Sequence, residues 1–106
     1  MSQTTTLRSR KLMEERGFHV ELVERYCSFT KRRFDLFGFL DLLCVHKETG
    51  EVIGVQSTSL SNISSRINKI MNSDLLPMVR RAGIGILVHG WGKKLNRWQC
   101  REENIS

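Results

Sequence analysis

A chain of 106 residues, 40% apolar and 26% charged, holds one compact domain with its own core and is too short for two. Its formal net charge of +6 predicts a surface that attracts polyanions, meaning nucleic acid or an anionic membrane face. No run of about 18 apolar residues is present and the N-terminus has no apolar signal core, so neither a spanning helix nor a signal peptide is expected. The three cysteines, Cys27, Cys44 and Cys100, are widely spaced, fit neither a disulfide framework nor a zinc pattern, and suit a reducing cytoplasm.

In chain order, Met1 to Thr6 is polar and expected to fray. Thr6 or Ser9 is a candidate cap for a first helix ending before Gly17. Phe18 to Tyr26 alternates as a half-exposed strand, and Cys27 to Arg33 reads as a polar, basic connection. Leu36 to Val45 is apolar on both alternating faces, the pattern of a central strand covered on both sides. Lys47 to Gly50 is a turn, and Glu51 to Gln56 returns as the second strand of a hairpin.

From Ser61 to Asn72 the period becomes helical, with Ile63, Ile67, Ile70 and Met71 on one face. Ser73 opens a second short helix running to Arg81, with Pro77 near its start. Ile84 to Val88 is a short buried strand. A turn around Gly92 to Asn96 leads to an edge strand near Trp98 to Arg101, and Glu102 to Ser106 is expected to fray. This order predicts a single-domain α/β fold, a mixed central β-sheet flanked by helices.

Within the hairpin, a four-residue loop places His46 opposite Glu51 and makes paired residue numbers sum to 97. Asp41 then faces Gln56, with Cβ atoms about 5 Å apart, and Thr58 follows on the same face. A carboxylate beside a carboxamide offers oxygen ligands that suit Mg²⁺ or Mn²⁺. The bland alternative is an Asp41 that only hydrogen-bonds its neighbours.

The stretch FGFLDLLCV…GEVIGVQSTS, in this order of elements, resembles the PD-(D/E)XK nuclease superfamily, nearest to its small Holliday junction resolvase-like, VRR-NUC-like and phage-encoded members. The resemblance implies a restriction-endonuclease-like αβββαβ core and metal-dependent hydrolysis of DNA phosphodiesters, with branched or junction DNA as a candidate substrate. Asp41 matches the metal-binding aspartate and Gln56 the Glu/Gln position, so the resemblance implies that both hold Mg²⁺ or Mn²⁺. Thr58 stands where the family has lysine. Lys69, or Arg66, on the following helix is the replacement considered, and Glu14 or Glu15 a further ligand. Small resolvase-like members work in pairs, which implies a homodimer; for a phage-encoded member the cytoplasm suited by the cysteines would be that of the host.

Other basic and polar residues are candidates for contact with nucleic acid: Lys31, Arg32 and Arg33 before the Asp41 strand; Ser59, Asn62 and Arg66 around the second helix; Lys93 and Lys94 near Trp91. Each also reads as an ordinary solvated residue. Asp35 supports either the metal site or a turn. His89 has no visibly paired nucleophile. No Gly-rich phosphate loop follows the first strand, so a nucleotide cofactor is not expected. A catalytically inactive nucleic-acid-binding module that keeps the nuclease fold is the competing reading, favoured by Thr58; a protein–protein adaptor is weaker.

Overall fold

The computed structural model describes residues 2–106, except for the side chains of residues 2–4, Tyr26 and Arg33. Helix α1 (Ser2–Glu15) leads to strand β1 (Phe18–Leu22) and to a small hairpin of β2 (Arg25–Cys27) and β3 (Arg32–Phe34). Strands β4 (Leu42–His46) and β5 (Val52–Ser59) follow. A 3-10 turn at Leu60–Asn62 opens onto α2 (Ile63–Met71) and α3 (Leu76–Arg81), and the chain ends in β6 (Gly85–Lys94) and β7 (Arg97–Asn104).

Five strands form one mixed sheet in the order β1-β4-β5-β6-β7. Only β5 and β6 are parallel, and the helices α2 and α3 make the crossover that such a pair requires. Alternation along β5 and β6 divides the interior in two. On one face Met13 of α1 meets Phe18, Val20, Leu42, Cys44, Val55 and Leu87. On the other, Phe39 and Leu40 pack with Ile63, Ile70, Leu76, Val79, Ile86 and Val88. The α/β architecture read from the sequence is therefore present, with helices on both faces. Among the described residues no helix is long and apolar enough to cross a membrane.

Several boundaries differ from the sequence reading. Thr6 and Ser9 lie inside α1 and are buried against the sheet; the small polar residues ahead of them continue the helix to Ser2, whereas Met1 lies outside the described residues. The apolar run does not make one strand from Leu36. A tight turn with positive φ at Phe37 (57°) and Gly38 (82°) closes through Leu36 and Leu40, so β4 starts only at Leu42. β4 is an interior strand, paired with β1 and β5 as expected, but Val45 on it is exposed, so its two faces are not both covered. The basic connection folds as the β2–β3 hairpin.

β5 runs to Ser59, and β6 and β7 are far longer than expected because the turn joining them is only Leu95-Asn96, both at positive φ. Glu102 to Asn104 do not fray: they complete β7, and the Ser106 hydroxyl accepts the Ile86 N–H at 2.8 Å.

Candidate metal centre

The β4–β5 register fixes the site. Leu42 pairs with Val55, Leu43 with Gly54, Cys44 with Ile53 and Val45 with Val52, each pair summing to 97 as expected. Two local features hold that register. His46 Nδ1 accepts the backbone N–H groups of Glu48 and Thr49 at 3.2 and 3.3 Å, and Gly50 takes the φ of 75° that closes the four-residue loop. Gly54 is the second constraint, since a Cβ there would lie 2.8 Å from Leu40 Cδ2. Leu40 is packed into this gap, and its position sets that of the next residue, Asp41.

Asp41 is 1% exposed, and its backbone N–H donates to the Val55 carbonyl at 2.8 Å. Its Oδ2 accepts two hydrogen bonds, from Gln56 Nε2 at 2.7 Å and from the Ser57 backbone N–H at 2.8 Å. Asp41 and Gln56 are thus brought together in the arrangement expected from the sequence.

Two further carboxylates join them. The Val23 N–H donates to the Asp41 carbonyl at 2.9 Å, which carries Glu24 to the site as the chain leaves β1. Asp35 arrives from the other side, directly after β3, where its carbonyl accepts the Gly38 N–H at 2.9 Å within the tight turn. Carboxylate oxygens of Glu24, Asp35 and Asp41 lie within 4.8 Å of one another. Burial pushes the Asp41 carboxyl up to about 7, and the neighbouring Asp35 and Glu24 charges push the same way; the Ser57 N–H opposes them. Among buried side-chain atoms of the described residues, Gln56 Oε1 has no hydrogen-bond partner.

Glu24, Asp35 and Asp41 are candidates to hold one cation. Three carboxylates held together repel, and an orphaned buried acceptor costs on the order of 1–3 kcal/mol. A divalent cation would relieve the first. The donors are all oxygen, the set of a hard ion such as Mg²⁺, Mn²⁺ or Ca²⁺. Opposite ligands stand about 4.2 Å apart around Mg²⁺ and about 5 Å apart around Ca²⁺. A spread of up to 4.8 Å therefore accommodates Ca²⁺ directly and Mg²⁺ after a contraction of about half an ångström.

The remaining expected residues are placed as follows. Thr58 is buried on the Gln56 face of β5. Lys69 is exposed in the last turn of α2, and its ammonium makes no hydrogen bond or ion pair among the described residues; Arg66 is half-buried one turn earlier. Glu14 is outside the acidic group and pairs with Arg10 at 3.3 Å; Glu15 instead lines a groove with Arg8, Lys11, Leu12, Trp91 and Trp98. Ser59 and Asn62 bond one another at 3.0 Å, and neither side chain caps its helix.

Lys31 and Arg32 are exposed on the β2–β3 hairpin, while the Arg33 side chain lies outside the described residues. Lys93 and Lys94 end β6. The strand directions put these cations at the end of the sheet where β1 finishes, β4 begins and β5 finishes, the end that carries the acidic group.

A second polar network occupies the opposite face. Ser9 Oγ lies 2.8 Å from His89 Nδ1, 2.8 Å from Trp91 Nε1 and 2.9 Å from Ser57 Oγ. His89 Nε2 lies 2.8 Å from Glu102, which also pairs with Arg16 at 2.5 Å. Burial holds the His89 pKa below its usual value, with Glu102 opposing. Burial would raise the Glu102 pKa, but Arg16 and His89 outweigh it and hold the group ionised. An ionised Glu102 needs a proton on Nε2, so Nδ1 of neutral His89 accepts the Ser9 hydroxyl. Ser9 Oγ then accepts from Trp91 and Ser57 and is saturated. Ser9, His89 and Glu102 have the composition of a nucleophilic triad, but Ser9 and His89 are both 0% exposed. Their hydroxyl–imidazole pair locks α1 to β5 and β6.

Comparisons with protein-family models, with curated proteins and with solved structures find no match.

Glu24 and Asp35 are the members of the site that sequence reading missed or underweighted. Asp35 carried a signal, an acid six residues from Asp41 beside Gly38. Glu24 carried only its place at the end of an alternating strand.

Proposed function

We propose that this chain is a metal-dependent endonuclease hydrolysing DNA phosphodiester bonds, built on a restriction-endonuclease-like core of α1, β1, β4, β5, α2 and β6. The observation that carries this reading is the meeting of Glu24, Asp35 and Asp41 within 4.8 Å, beside an unpartnered Gln56 carbonyl, at the basic end of the sheet. The element order, the parallel β5–β6 pair and the Asp41–Gln56 contact agree with the resemblance stated above.

A bound Mg²⁺ or Mn²⁺ would polarise a phosphoryl oxygen and lower the pKa of a bound water. Asp41, Asp35 and Glu24 would hold it, with the Gln56 carbonyl as a further oxygen donor. The Ser57 N–H and the Gln56 amide fix the Asp41 carboxylate through Oδ2. Lys31, Arg32, Lys93 and Lys94 supply phosphate contacts on either side. Two copies acting together would give so small a domain enough surface to grip a duplex.

Thr58 in place of a lysine, together with an exposed Lys69, favours the second reading, a binding module without catalysis. Labelled linear, nicked and four-way-junction DNA incubated in Mg²⁺, Mn²⁺ or EDTA separates the two. The nuclease reading requires cleavage in Mg²⁺ or Mn²⁺ that EDTA abolishes and Asp41→Asn removes. Loss in Lys69→Ala as well would identify the replacement cation. Salt-sensitive binding with no cleavage in either metal supports the module, and absence of both binding and cleavage overturns both readings.

A further inference from the structure

The β2–β3 hairpin is inserted between two members of the acidic group. Glu24 immediately precedes Arg25, the first residue of β2, and Asp35 immediately follows Phe34, the last of β3. Arg25 pairs with Phe34 at the base, so the two acids stand at the hairpin's foot. The arm is basic throughout: residues 25–34 contain Arg25, Lys31, Arg32 and Arg33 and no acid. Its tip carries Phe29, 94% exposed, the most exposed large apolar side chain among the described residues.

The tip is also organised. Cys27 pairs with Arg32 across the end of the hairpin, and Lys31 takes a φ of 56° to turn back into β3. At the base, the Arg25 guanidinium lies 5.8 Å over the Phe34 ring. An exposed aromatic at the end of a short arm that carries cations and no acid suits insertion between bases. Cations along the arm hold phosphates, and the apolar ring enters a base step and unstacks it. An unbroken duplex resists this by its stacking, whereas a branch point offers a step already open.

We infer that the β2–β3 hairpin is a wedge that inserts Phe29 at the branch point of branched DNA and sets the acidic group against a phosphate nearby. This rests on the reading of the chain as a DNA-cleaving protein and names the element that would meet the branch point. Four residue steps separate the foot of the arm from its tip, about 13 Å at 3.3 Å per residue. That span corresponds to about four nucleotides along one strand.

The test uses the full chain in EDTA, with a four-way junction and a linear duplex of matching sequence, each carrying 2-aminopurine at the equivalent of the branch point. The wild-type chain is expected to bind the junction more tightly than the duplex and to raise 2-aminopurine fluorescence on the junction. Phe29→Ala should lose that rise and about tenfold in junction affinity, leaving duplex affinity unchanged. Phe29→Trp should keep both properties. Lys31→Ala/Arg32→Ala should weaken binding to both DNAs and reduce the salt slope by about 2.

The wedge is overturned if Phe29→Ala equals wild type on the junction, if it loses equally on both DNAs, or if the wild-type chain shows neither preference nor fluorescence rise. In Mg²⁺, cuts are expected within about four nucleotides of the branch point. Absence of cleavage would defeat the nuclease reading while leaving the EDTA results to decide the wedge.

Discussion

Replacing Asp41 by asparagine should stabilise the metal-free protein at neutral pH. The folded Asp41 carboxyl is raised from 3.8 to about 7, first by burial and then by Asp35 and Glu24. The folded chain therefore binds its proton more tightly than the unfolded chain does. Between pH 3.8 and about 7 the folded state holds more protons, so stability falls as pH rises through this window. The gap corresponds, at 1.36 kcal/mol per pH unit, to about 4 kcal/mol of stability lost by pH 8. Asparagine carries no charge. Its carbonyl can accept the Gln56 and Ser57 N–H groups, and its amide can donate to Asp35 or Glu24. In EDTA, urea unfolding should show Asp41→Asn and wild type nearly equal at pH 4, with the mutant ahead by as much as about 4 kcal/mol at pH 8. For a chain of this length that is on the order of 15 °C in Tm. Taking the difference between the two proteins cancels the contribution of His89, whose lowered pKa gives the opposite slope below about 6.5. Saturating Mg²⁺ should close the gap by stabilising only the wild type. Equal stability at both pH values in EDTA, or a wild type more stable than the mutant at pH 8, would refute the cost of ionising Asp41 in its buried, acidic surroundings.

Other predictions follow from the same contacts. Cation binding must displace the Asp41 proton, so Mg²⁺ affinity by calorimetry should weaken up to about tenfold per pH unit below 7, and a flat profile from pH 5.5 to 7 would count against Asp41 as a ligand. Gly54→Ala should cost about 1–3 kcal/mol by overpacking against Leu40, and Leu40→Ala in the same chain should recover part of that cost; simple addition of the two losses would dismiss the steric account. Ser9→Ala leaves His89 Nδ1 and Trp91 Nε1 without their partner, and chemical denaturation should register a loss on the order of 2–3 kcal/mol; a loss below about 0.5 kcal/mol would mean the network is not closed.

The β4–β5 hairpin was legible because a single arithmetic constraint governs it. A four-residue loop and a period of two leave Asp41 no partner but Gln56, and the apolar residues around them penalise any slip. The α2 face was legible for a similar reason, since Ile63 and Ile70 repeat at the helical spacing and both are buried. Leu36 to Val45 misled because apolarity on both faces describes a covered strand and a buried turn equally well. The positive φ at Phe37 is an unusual choice that only the surrounding packing enforces. Ser9 misled in another way. A serine near a helix start reads as a cap, and its actual role depends on His89, Trp91 and Ser57, none within 45 residues of it in sequence.

Ser57 shows why the two polar networks have to be understood together. β5 presents Gln56 to the face of the acidic group and Ser57 to the α1 face, one residue apart. The Ser57 N–H holds Asp41 Oδ2, while its hydroxyl is bonded to Ser9 and through it to His89. A backbone hydrogen bond is insensitive to which side chain provides it, so the link works only if β5 itself does not move. The Ser9–His89–Glu102 lock on the far face supplies that rigidity, clamping α1, β5, β6 and β7 at the level of the site. A buried triad without access to solvent is a poor nucleophile but a good anchor for a carboxylate held on the other side of the same strand.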